Sequence, residues 1–218
     1  MAQRLDVGDG AHREQAVAAA LAATRRGDLV LLPTESSYAL ATDAFSLRGA
    51  AAMRAAKGTD AGTPLPVMVG ARATVAGIAL RVPDAAVALM DAFWPGPLTL
   101  LLAAQPTLAW DQPAGAPVAV RMPLHPVALA VLAATGPLAV TAANAAGHDA
   151  PSTVDEALEQ LGDVAAIVLD AGTLPRGRPS TVVDVTGEPR IARAGELTVE
   201  QIQAACPSVI DGAGSAGA

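Results

Sequence analysis

The sequence predicts one α/β domain in which helices flank a mixed β-sheet. Short apolar runs of strand length, such as residues 29–32 and 98–103, are interspersed irregularly with alanine-rich segments of helix length. The runs 181–185 and 191–193 are joined by a Gly-Glu-Pro turn, and such a short connection pairs strands antiparallel. The chain has 218 residues, of which 52% are hydrophobic and 16% charged, which suffices for a single core.

The elements of the first half are predicted from periodicity and from Gly and Pro signals. Residues 1–10 look irregular, and a helix is expected over 11–26 because apolar residues recur on one face and Gly27 suits its end. Trp94-Pro95-Gly96-Pro97 is a sharp break. Between these points we expect strands at 29–32, 38–41 and 66–69 and helices at 46–56, 72–80 and 83–93.

The second half is predicted to be richer in strands. Thr153 and Thr198 each begin a sequence typical of a capping box, so helices are expected to start there. No linker or repeat divides the chain, and we expect a single domain over 1–206 followed by a flexible tail at 207–218, which is rich in Gly, Ser and Ala. The other elements are strands at 98–103, 118–122, 138–141, 166–169, 181–185 and 191–193 and a helix at 126–134.

Charge and cysteine content exclude several functional classes. Lys and Arg number 14 against 21 Asp and Glu, a net charge of −7, and only 2% of residues are aromatic. Nucleic-acid binding needs a basic surface or stacking aromatic rings, so direct binding is predicted to be weak or absent. No apolar run approaches the length of a membrane span, no secretory signal opens the chain, and the single Cys206 excludes an internal disulfide framework. We expect a cytoplasmic protein that does not contact membranes.

Common catalytic and cofactor motifs are absent from the sequence. His12, His125 and His148 lie far apart and lack Cys or carboxylate partners at ligand spacing, so no protein-bound metal is expected. There is no phosphate loop, no Gly-x-Gly-x-x-Gly after a strand and no Gly-x-Ser-x-Gly turn. The function must therefore be sought in polar residues at strand ends.

Polar side chains follow several predicted strands. Residues 33–38, Pro-Thr-Glu-Ser-Ser-Tyr, follow the strand at 29–32, and open α/β sheets often bind ligands at such edges. A solvated turn is the alternative, since Ser and Thr are common in turns. The other candidates also have structural alternatives: Lys57 suits a helix C-terminus, Arg121 an edge strand, Asn144 a turn, Ser180 a backbone contact and Arg193 a solvated strand.

Longer motifs connect these segments. They are Phe93-Trp94-Pro95-Gly96-Pro97-Leu98-Thr99, Arg121-Met122-Pro123-Leu124-His125-Pro126, Thr141-Ala142-Ala143-Asn144 and Pro179-Ser180-Thr181-Val182-Val183-Asp184. In this order and spacing, the chain resembles the YrdC family over about residues 25–202. The resemblance implies a YrdC-like fold, in which a twisted mixed β-sheet flanked by helices carries a large open cavity.

The resemblance also implies an activity, because bacterial members of the YrdC family are threonylcarbamoyl-AMP synthases. Such an enzyme is a nucleotidyltransferase that forms threonylcarbamoyl-AMP and pyrophosphate from L-threonine, bicarbonate and ATP, with Mg²⁺ carried by ATP. By resemblance, L-threonine would contact Thr34, Arg121 and Thr141, and ATP would contact Lys57, Asn144, Ser180 and Arg193. No catalytic nucleophile is implied, since the reaction needs positioning and electrostatics.

The implied product serves tRNA modification to threonylcarbamoyladenosine. It would be used by downstream threonylcarbamoyl-transferase proteins, so the resemblance does not require this acidic chain to bind tRNA directly. Carbamoyl transfer, as in the related domain of hydrogenase maturation proteins, is a further alternative that the chain length disfavours.

The chain departs from the family pattern at four positions. Thr59 and Thr63 stand where the family has Arg and Lys, Ala142 stands for Ser in the Ser-x-Asn motif, and Ala39 stands for Gly. Two cations and one hydroxyl are thereby missing from the predicted ATP side. Either Arg54, Arg176 or Arg178 compensates, or the chain is a catalytically impaired or differently specific YrdC-like protein that binds a nucleotide or RNA.

Overall fold

The computed structural model describes residues 2–8 and 12–212, which form a ten-stranded sheet with helices on both faces. The strands are β1 (Gln3–Asp6), β2 (Val30–Pro33), β3 (Tyr38–Asp43), β4 (Val67–Met68), β5 (Leu98–Ala103), β6 (Pro117–Arg121), β7 (Leu138–Ala142), β8 (Ile167–Asp170), β9 (Thr181–Asp184) and β10 (Arg190–Arg193). The helices are α1 (Arg13–Arg25), α2 (Leu47–Lys57), α3 (Val75–Ile78), α4 (Asp84–Phe93), α5 (Pro126–Thr135), α6 (Val154–Leu161) and α7 (Val199–Ala205).

The sheet is mixed, as the sequence predicted. Its strand order is β1-β8-β2-β3-β7-β4-β6-β5-β9-β10. Strands β1 and β2 both pair parallel with β8, and β4 with β6 and β5 with β9 are the other parallel pairs. The hairpins β2–β3, β5–β6 and β9–β10 are antiparallel. Helix and strand positions agree with the predictions to within a few residues almost throughout.

Two hydrophobic layers cover the sheet unequally. The first layer extends along one whole face and includes Leu31 of β2, Leu100 of β5 and Met53 of α2. The second layer, under α1 and α5, contains Val30 and residues of β3, β7 and β8 but, among the described residues, none of β5, β6 or β9. Burial on both faces explains the continuous apolar run of β2. The other half of the second face is left without a helix.

The amino-terminal segment differs from the sequence prediction. Residues 1–10 were expected to be irregular, yet β1 pairs parallel with β8 at the sheet edge. The Arg4 guanidinium contacts the carboxylates of Asp155 and Asp170 at 2.7 Å. The partner strand lies about 160 residues away in the chain. Local periodicity carries no information about so distant a partner. Residues 9–11, which include the predicted start of α1, lie outside the described chain.

Two smaller differences concern a helix and a helix cap. The predicted helix at 72–80 consists of a 3-10 turn at Arg72–Thr74 followed by the single-turn α3. Thr198 forms the complete capping box, whereas at Thr153 only the hydroxyl caps, because the Glu156 carboxylate accepts the Ser152 N–H instead.

The last described residues are packed against the sheet. Val209 is 1% exposed, and Ile210 exchanges backbone hydrogen bonds with Pro189 and Ile191 next to β10. Within the predicted tail, residues 209 and 210 thus contact the rest of the domain, and 213–218 lie outside the described residues. Within 2–8 and 12–212, no helix is both long and apolar enough to cross a bilayer.

His125 caps the amino terminus of α5 in its neutral form. Its Nδ1 accepts the Val127 N–H at 3.3 Å, and the ring is half-buried. Burial, together with the charge of Arg13, lowers the pKa of His125. A protonated Nδ1 carries a hydrogen and no longer accepts, so protonation opposes the cap.

We predict that this cap makes the folded state less stable in acid. The unfolded chain takes up the His125 proton near pH 6.5, while the folded chain takes it up only at lower pH, so the contribution is complete above 6.5 and is lost as pH falls below it. His125→Asn keeps a capping oxygen and should flatten this decline in urea unfolding measured between pH 7.5 and 5.5. His12→Asn, at a helix start without a side-chain cap, is the control; an equal decline in parent and His125→Asn would contradict the assignment.

Candidate active site

A cavity of about 780 Å³ lies over the half of the sheet that α1 and α5 leave uncovered. Thr99 of β5 is opposite Arg121 of β6 on one side and Val182 of β9 on the other, and Val182 is paired with Arg193 of β10. Side chains at paired positions point to the same face of a sheet. This register therefore places a hydroxyl and two guanidinium groups side by side along the cavity.

Five of the predicted site residues line the cavity, and two do not. Those that line it are Thr34, Arg121, Thr141, Ser180 and Arg193. Lys57 and Asn144 instead contact each other beside it. Other polar residues around the cavity are Ser36, Ser37, Thr99, His148, Asp149 and Arg176.

The Thr34 side chain lines the cavity, but its hydroxyl is already hydrogen-bonded within the turn. Its hydroxyl donates to the Ser37 carbonyl at 2.7 Å and accepts from the backbone N–H groups of Ser36 and Ser37. The turn that the sequence left as an alternative is therefore present, and it forms part of the cavity. Thr141, by contrast, has no side-chain hydrogen bond within the described residues, so its hydroxyl is available to a ligand.

Arg121 is held at the end of β6 by two acceptors. Its Nε donates to the Gly96 carbonyl at 3.2 Å, and its Nη2 donates to the Glu35 carboxylate. Burial and the nearby charge of Arg193 lower the pKa of Arg121 to about 10, which leaves the guanidinium charged at neutral pH; the contact with Glu35 opposes this shift. Glu35 belongs to the polar segment 33–38 predicted at the strand end, but its contact with Arg121 has no signal in the sequence.

Ser180 and Arg193 form the opposite end of the row. Arg193 Nη2 donates to the Ser180 carbonyl at 2.9 Å, and the Ser180 and Thr99 hydroxyls are hydrogen-bonded at 2.8 Å. Thr99 is the last residue of the motif at 93–99 but was not predicted as a site residue. The signal for it was its place between apolar Leu98 and Leu100, since alternation in a strand puts it on the other face.

Lys57 is neither a solvated helix-end residue nor a lining residue of the cavity. Its ammonium group donates to the Ala142 carbonyl at 2.9 Å, to Asn144 Oδ1 at 2.8 Å and to the Asn144 carbonyl. Asn144 Nδ2 in turn donates to the His148 carbonyl at 2.6 Å. Burial lowers the pKa of Lys57. These contacts order the loop 142–148, which leads into the cavity wall at His148 and Asp149.

The three arginines proposed as compensation occupy different environments. Arg54 is 4% exposed and is bound to the Thr63 carbonyl and to Asp111, so it is not available to a ligand. Arg178 is not part of the cavity lining. Arg176 lines the cavity, and its Nη2 donates to the Glu156 carboxylate at 2.7 Å. Of the three, Arg176 is therefore the one placed to reach a ligand in the cavity.

Taken together, these features define an α/β protein with an open cavity whose interior suits anionic ligands. Its lining contains three arginines, Arg121, Arg176 and Arg193, and one acidic residue, Asp149. Comparison with known proteins makes the assignment specific. The Sua5/YciO/YrdC family model, described as telomere recombination, matches residues 22–195, and the chain belongs to this family.

Several relatives cover most of the chain. A putative threonylcarbamoyl-AMP synthase of Mycobacterium tuberculosis is 41% identical over 204 residues, which are 93% of this chain and 94% of the relative. The threonylcarbamoyl-AMP synthase of Bacillus subtilis is 34% identical over 192 residues, 86% of this chain but 56% of the relative.

Solved structures of the family show the same fold. Pyrococcus abyssi Sua5 complexed with L-threonine matches with a TM-score of 0.84 and 28% identity over 97% of this chain, although the chain spans only 62% of that protein. Escherichia coli YciO matches with a TM-score of 0.81 over 93% of this chain and 100% of its own, at 23% identity, which supports the fold alone.

We predict that Lys57→Met weakens ATP binding roughly tenfold or more, because charge-assisted hydrogen bonds to the loop 142–148 are lost. Amide hydrogen exchange in this loop should also become faster. Arg48→Met, which removes an exposed cation from the same helix, is the matched control. Calorimetric ATP affinity and exchange rates equal to those of the parent would show that Lys57 does not order the site.

Proposed function

We propose that this protein is a threonylcarbamoyl-AMP synthase, which joins L-threonine, bicarbonate and ATP into threonylcarbamoyl-AMP and pyrophosphate. The observation that carries the proposal is the row of arginines and hydroxyls along a cavity large enough for an amino acid and a nucleotide. Relatives with this activity in their names, over nearly the whole chain, support it.

The two ends of the row suit the two substrates. We assign L-threonine to the end formed by Arg121, Thr141 and the Thr34 turn, where a guanidinium can bind its carboxylate through two hydrogen bonds. We assign the ATP phosphates to the end formed by Ser180 and Arg193. Arg176 adds a cation, and Lys57 with Asn144 acts from beside the cavity by ordering its wall.

In the proposed reaction the protein supplies position and charge and no nucleophile. Bicarbonate gives carbon dioxide and hydroxide, the threonine amine adds to the carbon dioxide, and the proton that the amine loses joins the hydroxide as water, which leaves a carbamate. A carbamate oxygen then forms a bond to the α-phosphorus of ATP, and the bond to the bridging oxygen of pyrophosphate breaks in line. Arginines beside the phosphates offset the negative charge of the leaving group, and the shared cavity holds the reactants close together.

Magnesium fits this site as part of the nucleotide substrate. Within the described chain, no group of three His, Cys, Asp or Glu side chains is placed to hold a metal ion. Mg²⁺ commonly keeps its waters and binds through substrate phosphates with one or two carboxylates. Asp149 is the acidic side chain in the cavity lining that is available for such a contact.

The proposed product would act on tRNA through other proteins. The net charge of −7 gives the chain little attraction for a phosphate backbone, so the released adenylate would pass to threonylcarbamoyl-transferase proteins. The alternative of an impaired or differently specific binding protein is not favoured, because the cavity lining contains three arginines and a relative named as a putative synthase matches nearly end to end.

The proposal predicts that the purified protein releases pyrophosphate from ATP only when L-threonine and bicarbonate are both present. Omission of either substrate should reduce release to the background level, and mass spectrometry should detect threonylcarbamoyl-AMP. Arg193→Ala should reduce the rate about tenfold to a hundredfold, the size expected for loss of a charge-assisted contact. Pyrophosphate release that does not depend on threonine would refute the assigned substrate.

We further predict that Thr59→Arg combined with Ala142→Ser raises the synthase rate by roughly tenfold, since one charge-assisted hydrogen bond stabilises a transition state by about that factor. Ala142 lines the cavity. Thr59 lies two residues after Lys57, whose ammonium group contacts the Ala142 carbonyl. Thr107→Arg adds the same charge at an exposed loop position and is the control. A rate that stays at or below the parent value would mean that Arg176 already supplies the missing charge.

A further inference from the structure

The Glu35 carboxylate joins the turn between β2 and β3 to the end of β6 and the segment after it. Its Oε1 accepts from Arg121 Nη2 at the end of β6, and its Oε2 accepts the Leu124 N–H at 3.2 Å in the segment that follows. Glu35 itself belongs to the turn between β2 and β3. A single side chain thus fixes the position of this turn relative to Arg121 and the segment after it.

These contacts leave one edge of the Arg121 guanidinium without a partner. Nε is bonded to the Gly96 carbonyl and Nη2 to Glu35, but Nη1 has no hydrogen bond to any described residue. A guanidinium has five N–H donors in a fixed plane, and a carboxylate can accept two of them together. Arg121 lines the cavity, and Nη1 is the guanidinium nitrogen that its protein contacts leave free for a bound carboxylate.

Glu35 also neutralises the positive charge of Arg121, which burial disfavours. The side chains of Arg121 and Glu35 are only 14% and 18% exposed. Arg193 is close enough to disfavour the charge on Arg121. A largely buried cation is costly without a bonded counter-charge, so Arg121 without Glu35 would be expected to leave its present position.

We propose that Glu35 is a positioning residue, which holds Arg121 so that its Nη1 edge receives the carboxylate of the amino-acid substrate. This inference rests on the proposed function in naming L-threonine as that substrate. The substrate carboxylate joins Glu35 on the guanidinium and does not replace it, because the two acids use different N–H groups.

The test compares the parent with Glu35→Gln, which keeps the shape of the side chain and removes its charge. Affinities for L-threonine, for threoninol, which lacks the carboxylate, and for ATP are measured by calorimetry. In Glu35→Gln the dissociation constant for L-threonine should rise about tenfold or more, and the preference for L-threonine over threoninol should fall by the same factor. Affinity for ATP should change less than about twofold, since the phosphate end is not touched. Glu188→Gln, in the exposed turn between β9 and β10, is the matched control.

Two results would overturn the inference. Unchanged affinity for L-threonine would make the ion pair purely structural, and tighter binding would show that Glu35 competes with the substrate carboxylate. Should Glu35→Gln fail to fold by melting and circular dichroism, Glu35→Asp replaces it, because the shorter side chain cannot contact both Arg121 and Leu124; an undiminished preference for L-threonine in Glu35→Asp would then refute the inference.

The preference of the parent protein for L-threonine over threoninol distinguishes a failure of this inference from a failure of the proposed function. A parent that does not prefer L-threonine over threoninol contradicts the assigned substrate and the role of Glu35 together. A parent that prefers L-threonine, with a Glu35→Gln variant that does so equally, refutes the role of Glu35 alone and leaves the proposed function standing.

Discussion

The site depends on the unequal covering of one sheet face and on the register of the strands in its uncovered half. Helices α1 and α5 pack over β2, β3, β7 and β8, and the cavity occupies the remaining area above β5, β6 and β9. In that area Thr99, Arg121, Val182 and Arg193 occupy paired positions. A shift of one residue in any of these strands would turn its polar side chain into the core on the opposite face. The apolar residues that alternate with them, such as Leu98 and Leu100, therefore fix the site by fixing the register.

Arg121 is largely buried in the cavity wall, so its charge must be offset when no substrate is bound, whereas Arg176 and Arg193 are exposed. Arg121 is paired with Glu35, and Arg176 with Glu156, whose carboxylate also accepts hydrogen bonds from Ser152. The bonds from Ser152 and the charge of Arg176 lower the pKa of Glu156, so this carboxylate stays ionised. Arg121 and Arg176 can therefore attract anions while each is paired, because a guanidinium has more donors than one acidic partner uses. Arg193 donates to the Ser180 carbonyl and has no acidic partner within the described chain.

Polar side chains that the family pattern associates with ligands also hold the backbone of the cavity wall. The Thr34 hydroxyl forms the turn after β2, and Lys57 with Asn144 orders the loop after β7. Gly58, at φ 61°, ends α2 in the left-handed conformation immediately after Lys57, whose ammonium group contacts this loop. Thr59, where the family has Arg, is not a partner of Lys57, and the cations of the cavity lining besides Arg121 are Arg176 and Arg193.

Sequence patterns alone determined the mixed sheet, most element positions and the segments that supply the site. Apolar runs, glycine stops and threonine caps are local signals, and they placed β2, α2 and α7 nearly where they are found. Only the tertiary structure decided which of the named side chains meet. Three contacts join residues far apart in the chain. They are the pairing of β1 with β8, the ion pair of Glu35 with Arg121 and the ion pair of Arg54 with Asp111. The partners of a charged or hydrogen-bonding side chain at such separations depend on strand order and loop packing. The local sequence gives the type of each side chain but not the distant residue that folding places beside it.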